Sequence, residues 1–153
     1  MKRKEKEITD ITQIEQIISK ATVCRLAMSD NNKPYVVPIS FGYENNTLYF
    51  HSAHEGKKID ILKKNSQVCF ELDIYEEFVP GEIACKGTMK FKSVIGYGKA
   101  SIINADQQKR QALDFIMKQY SDADEFQYSD KSVADCLIIK VDIESMTGKV
   151  SGY

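Results

Sequence analysis

Apolar residues recur along this chain with two spacings, one helical at about 3.6 residues and one strand-like at 2, and the switches between them mark out its elements. Ile11, Ile14, Ile17 and Ile18 fall on one helical face behind Asp10, with Gln13 three residues on as in a capping box. The spacing then changes to 2. Cys24, Leu26 and Met28 alternate with Val23, Arg25 and Ala27 up to a turn-rich stretch at residues 29–34. A second run follows, with Tyr35, Val37, Ile39, Phe41 and Tyr43 on a bulky face and Val36, Pro38, Ser40 and Gly42 on a small one, so the pair predicts a hairpin. After Glu44, Asn45 and Asn46 turn the chain, residues 47–52 read as a strand that runs into a short helix starting at Lys57 and Lys58, with Ile59 and Leu62 facing inward. Val68, Phe70 and Leu72 alternate with Gln67, Cys69, Glu71 and Asp73, and residues 90–102 form a further strand with Gly96 and Gly98 on one face. Asn104, with Gln107 three residues later, is the predicted cap of a helix carrying Leu113, Ile116, Met117 and Tyr120. Finally Leu137, Ile139, Val141 and Ile143 alternate with Ile138, Lys140, Asp142 and Glu144. About six strands with hairpin-like connections and three helices predict a mainly β protein, an antiparallel barrel with peripheral helices rather than a wound βαβ sheet.

Composition changes this picture little. With 153 residues, 42% of them hydrophobic, the chain is expected to form one domain over residues 1–153 with a core of its own. The balance of 21 basic against 22 acidic side chains argues against nucleic acid or an anionic membrane surface as partner, while leaving room for a local basic patch. The first seven residues carry no apolar run of a signal peptide, and no segment approaches the roughly 18 apolar residues of a membrane span, so a cytoplasmic protein is expected. Cys24, Cys69, Cys85 and Cys136 are widely separated and have no histidine at ligand spacing, which is not a zinc pattern, and no metal site is expected. The first, second and fourth lie in strand-like runs and read as small hydrophobes; Cys85, between Pro80 and Gly87, leaves a reactive role open.

Three features carry chemistry. A strand delivering Lys57 and Lys58 to a helix start is a place for a phosphate, because N–H groups there lack partners, the helix dipole favours an anion, and the two lysines add charge. A solvated basic helix end is the alternative. The small face of Val36, Pro38, Ser40 and Gly42 would let a flat ligand approach, or would simply pack, and Pro38 implies an edge or a break in pairing. His51 is either a structural hydrogen-bond partner or a group near reacting atoms, and His54 is expected in an exposed loop.

Taken together, Tyr35-Val36-Val37-Pro38, then Tyr49-Phe50-His51-Ser52-Ala53 with Gly56-Lys57-Lys58-Ile59-Asp60, then Ser93-Val94-Ile95-Gly96-Tyr97-Gly98-Lys99-Ala100, resemble the pyridoxamine 5′-phosphate oxidase-like flavoproteins, and within them the nitroimidazole-resistance branch. The resemblance implies a six-stranded antiparallel split barrel that forms a homodimer and binds FMN in clefts between subunits. It assigns Lys57 and Lys58 to the FMN phosphate with Ser52 as a hydroxyl donor, places Val36, Val37, Pro38 and Ile39 along the ring, and brings Ser93 and Val94 in from the glycine-bearing strand. It also puts His51 near the flavin, as a group that positions a substrate or donates a proton. The function it implies is a flavin-dependent reductase that takes electrons from NADH or NADPH and passes them to a small oxidised acceptor, with the cofactor supplying the chemistry. No G-x-G-x-x-G follows a strand, so a nicotinamide would visit the flavin rather than own a Rossmann domain. A flavin- or haem-binding protein without turnover is the alternative, with His51 or His54 as axial ligand. Full pyridoxamine phosphate oxidases carry arginine where Lys57 stands, together with a C-terminal substrate-binding extension, so oxidation of pyridoxamine phosphate itself is not expected.

Overall fold

A computed structural model describes residues 4–153; Met1, Lys2 and Arg3, part of the charged N-terminal run, lie outside the described residues. The strands are β1 (Glu7–Ile8), β2 (Cys24–Asp30), β3 (Lys33–Ile39), β4 (Gly42–Glu44), β5 (Thr47–Ser52), β6 (Gln67–Val79), β7 (Thr88–Ile103) and β8 (Leu137–Ser151), and the helices are α1 (Ile11–Lys20), α2 (Lys57–Lys64), α3 (Asp106–Lys118) and α4 (Asp130–Ala134). All pairings are antiparallel, in the order β3-β2-β6-β7-β8-β5-β4, with β1 added on β8. The two ends of that order, β3 and β4, follow one another in the chain, so the sheet curls until its edges meet around residues 40–41 without pairing. This is a split barrel, of eight strands among the described residues rather than six.

Both extra strands have a physical origin. The run read as one strand from Tyr35 to Tyr43 divides because Phe41 turns into the core, where it is wholly buried and its N–H donates to the Tyr120 hydroxyl at 2.9 Å instead of to a ladder. The short β1 escapes a periodicity reading because it has only two residues. Paired asparagines make the tight turns. Asn31 and Asn32 (φ 50° and 63°) join β2 to β3, and Asn45 and Asn46 (φ 47° and 60°) join β4 to β5, both residues of each pair in the positive-φ conformation of a type I′ hairpin.

The barrel interior is filled by Leu26, Leu48, Phe50, Phe70, Leu72, Val94, Ile139 and Val141, all fully buried. Helix α1 is capped as expected, with Asp10 accepting from the Gln13 N–H at 2.9 Å, and it adds Ile14, Ile17 and Ile18 to this core. Helix α2 adds Ile59, Ile61 and Leu62 and is held to the β2–β3 turn by Lys64–Asp30 and by the Asn65 amide donating to the Ser29 carbonyl. Helix α3 lies on the outer surface, where Ala112 and Ile116 cover Ile138. It starts behind Ala105 with no side-chain cap, not at Asn104, and ends before Tyr120, whose hydroxyl donates to the Thr22 carbonyl at 3.0 Å. The five-residue α4, capped by the Ser129 hydroxyl, carries no periodic signal in sequence. No helix among the described residues is long and apolar enough to cross a membrane.

Candidate functional site

The turn from β5 into α2 is a bare helix start. Gly56 occupies the cap position at φ 128° and ψ 165°, a backbone region open essentially to glycine alone, and no side chain caps the helix. The first helical bond runs from the Asp60 N–H to the Gly56 carbonyl at 3.1 Å, so the amides of Lys57, Lys58 and Ile59 have no intrahelical acceptor. Partial positive charge from the helix dipole gathers at the same point. Lys58 is half-buried, and among the described residues no carboxylate pairs with it; burial holds its ammonium below the usual lysine range. An anion at the helix start would restore it.

Lys57 joins this corner to β3. Its exposed ammonium sits 4.4 Å from the centre of the Tyr35 ring, so α2 and the edge strand meet through a cation–π contact. Among the described residues strand β3 pairs with β2 alone, leaving its other edge open. The quartet expected along a flat ligand alternates. Val36 (60% exposed) and Pro38 present their side chains outward, whereas Val37 and Ile39 turn half-buried toward the core and offer backbone only. The small face continues at Ser40 but closes at Gly42, where an added Cβ would lie 2.4 Å from the backbone of Phe115 in α3. The glycines of β7 are filled too. A Cβ at Gly96 would meet the Phe70 ring at 2.2 Å, and one at Gly98 would meet the Asp142 carbonyl oxygen at 2.5 Å, so that face admits the protein's own core.

Ser52 closes the strand that leads into α2, and the other expected site residues are spread over the barrel. His51 is exposed on the outer face of β5, opposite Ile138, on the side that carries α3; Ser52, next in the strand, is half-buried. His54 is exposed, and its Nε2 donates to the Ala134 carbonyl at 2.8 Å. Ser93 and Val94 sit on β7, three strands from β3 in the sheet order, or about 14 Å at 4.8 Å per strand. Ser93 is 8% exposed and Val94 is wholly inside the core of its own barrel. One protomer therefore brings Lys57, Lys58, Tyr35 and β3 together, and does not bring Ser93 or Val94 to them.

Between these groups the outer face of β2, β6 and β7 carries an ion cluster and apolar side chains. The Arg25 guanidinium donates to Glu71 at 2.9 Å and to Asp73, and burial together with the neighbouring Asp73 charge pushes the Glu71 carboxyl up against the lowering by Arg25. Val36, Tyr75, Ile95 and Tyr97 stand exposed around it. Cys24 is buried and its thiol pushed up by burial, Cys69 and Cys136 are half-buried, and Cys85 is exposed; all four are free. Among the described residues no group of three or more His, Cys, Asp or Glu is arranged to hold a metal ion. Tyr35 and the cap role of Gly56 were missed in sequence. The available signal was a glycine directly before two lysines at a helix start lacking Ser, Thr, Asp or Asn.

Residues 10–150 match the family described as pyridoxamine 5′-phosphate oxidase. Among solved structures, a candidate 5-nitroimidazole antibiotic resistance protein from Bacteroides thetaiotaomicron is similar at 41% identity, with 94% of this chain and 86% of that one covered and a TM-score of 0.84. The FAD- and haem-binding protein from Mycobacterium smegmatis is 18% identical, with 97% and 75% covered and a TM-score of 0.86, which is a likeness of fold. An uncharacterized protein of Rhizobium meliloti is 27% identical over 95 residues, 62% of this chain; the match spans 56% of that relative's length.

Proposed function

The chain belongs to the pyridoxamine 5′-phosphate oxidase family, and from that premise we propose that it is an FMN-binding flavoprotein acting as a reductase on a small oxidised acceptor. The carrying observation is the bare start of α2, with amides that lack an intrahelical acceptor and the half-buried Lys58, unpartnered among the described residues, joined through Lys57 and Tyr35 to the open edge of β3. These residues fit a phosphate-bearing flavin. The amides of Lys57, Lys58 and Ile59, the two ammonium groups and the Ser52 hydroxyl would hold the phosphate. Val36 and Pro38, with the backbone of Val37 and Ile39, would offer the flat surface for the ring. Bound FMN would supply acceptance of a hydride from NADH or NADPH and delivery of electrons to the acceptor. The exposed His51 imidazole would place that acceptor and donate a proton to it.

The exposed Val36, Tyr75, Ile95 and Tyr97 support a homodimer formed through this outer face. A second copy would then carry its own β7, with Ser93 and Val94, toward the cleft that one protomer leaves open. The 41% identity to the Bacteroides protein supports a nitroaromatic acceptor class.

An absorbance scan of the purified protein supplied with FMN tests this reading. Flavin bands that bleach under anaerobic NADH or NADPH are expected. Bands that never bleach would mean binding without reduction. A Soret band after haem addition would move the assignment to haem, with His51 the freer axial candidate because the His54 Nε2 is already engaged.

A further inference from the structure

Among the described residues Lys109 is the one charged residue that is buried, at 6% exposure, and no carboxylate pairs with it. Its ammonium instead donates to the carbonyls of Val133 at 3.0 Å and Cys136 at 2.6 Å. These belong to the last turn of α4 and the residues just after it, where a short helix leaves carbonyl oxygens unpaired. The carbonyl between them, that of Ala134, takes a proton from elsewhere: the His54 Nε2, 2.8 Å away and 80 residues distant in sequence. Because a carbonyl oxygen only accepts, Nε2 carries the proton. Arg110, next to Lys109, fixes the same segment from its other end, donating to the Tyr128 carbonyl and to Asp130.

His54 lies in the loop between β5 and α2, two residues before Gly56. Among the described residues it makes the only side-chain hydrogen bond of residues 53–56, all of which are exposed. A continuous set of contacts thus runs from α3 through Lys109 to α4, and from α4 through His54 to the helix start.

We infer that His54 is a positioning residue for the phosphate site. By tying the loop to Ala134 it holds Gly56 in its φ 128° turn, so that the amides of residues 57–59 converge before any ligand arrives. It touches no ligand itself. Ordering that is already present in the free protein need not be supplied on binding, and affinity rises accordingly. The inference rests on the proposed phosphate site and adds the element that pre-forms it.

The test compares FMN with riboflavin, which shares the ring and lacks the phosphate, in fluorescence titrations of the intact protein. Wild type is expected to prefer FMN clearly. His54→Ala should weaken FMN binding by about three- to tenfold, as loss of one hydrogen bond predicts, and leave riboflavin unchanged. His54→Gln places an amide N–H near the Nε2 position and should restore most of the loss. An unchanged FMN-to-riboflavin ratio in His54→Ala overturns the inference, as does an equal loss for both ligands or a failure of glutamine to rescue. A wild-type protein that does not distinguish the two ligands removes the phosphate site itself, and the positioning role with it.

Discussion

A half-buried lysine that pairs with no carboxylate holds its charge at a cost that a bound anion would lift, and among the described residues Lys58 is in that position. Replacing both Lys57 and Lys58 by alanine should weaken FMN binding by a few kcal/mol, since hydrogen bonds to charged groups contribute about 1.5 to 3 kcal/mol each. The fold should survive, because Lys57 is exposed, Lys58 is only half-buried, and among the described residues neither ammonium pairs with an acidic group. Wild-type affinity in the double variant would place the phosphate elsewhere. The pH dependence has a definite sign. The Lys58 ammonium titrates below the ordinary 10.5, so FMN affinity should be flat near neutrality and fall as alkaline pH strips that proton. Without ligand, the unfolded chain holds more protons than the folded one between the depressed value and 10.5, so folding stability should rise with pH across that window. Titrations from pH 7 to about 10 in wild type and Lys58→Gln check this; equal slopes would take Lys58 out of the site.

At the scale of elements, the long strands β6, β7 and β8 form the wall from which everything else is placed. Their sequence pattern is broken by bulges. In β8, Tyr97 pairs with Ser145 but Gly98 pairs with Ile143, so Glu144 is the extra residue and the inward face passes from Ile143 to Met146 and Gly148. That change of phase ends the alternation near Glu144, although the strand runs on to Ser151. A second irregularity at Tyr75/Glu77 in β6 has the same effect, and the strand extends six residues past Asp73 to Val79. Gly96 shows how the wall is packed. It is paired with Phe70, whose ring fills the space a side chain would need, so Gly96→Ala should destabilise by about 1 to 3 kcal/mol through overpacking. Chemical denaturation measures this, and an unchanged midpoint would mean that Phe70 has room to move.

For the whole molecule, the proposed dimer decides whether the site is complete. Tyr97 is 55% exposed at the middle of the outer face, beside the half-buried Cys69. Tyr97→Glu would place a charge where a second copy is proposed to pack, while leaving the barrel core untouched. The variant is expected to elute as a monomer and to bind flavin more weakly than wild type, by light scattering coupled to chromatography and by titration. A Tyr97→Glu protein that stays dimeric would move the interface to another face. One that is monomeric with full flavin affinity would mean that a single barrel holds the cofactor.

Local physics fixed a large part of this protein in its sequence. The Asp10 cap of α1, the paired asparagines of two hairpins, the alternation of β2 and the lysines at the start of α2 each depend on residues within one turn or one strand, and all can be read from neighbours in the chain. Tertiary structure decided what depends on distant partners. It sent Phe41 into the core and split one predicted strand into β3 and β4, filled the glycine faces of β4 and β7 with Phe115 and Phe70, and kept Ser93 and Val94 three strands from β3. It also joined Lys57 to Tyr35 and His54 to Ala134. No spacing encodes these outcomes, because packing and hydrogen bonding choose partners by proximity in the closed barrel, and that proximity exists only once the sheet has curled.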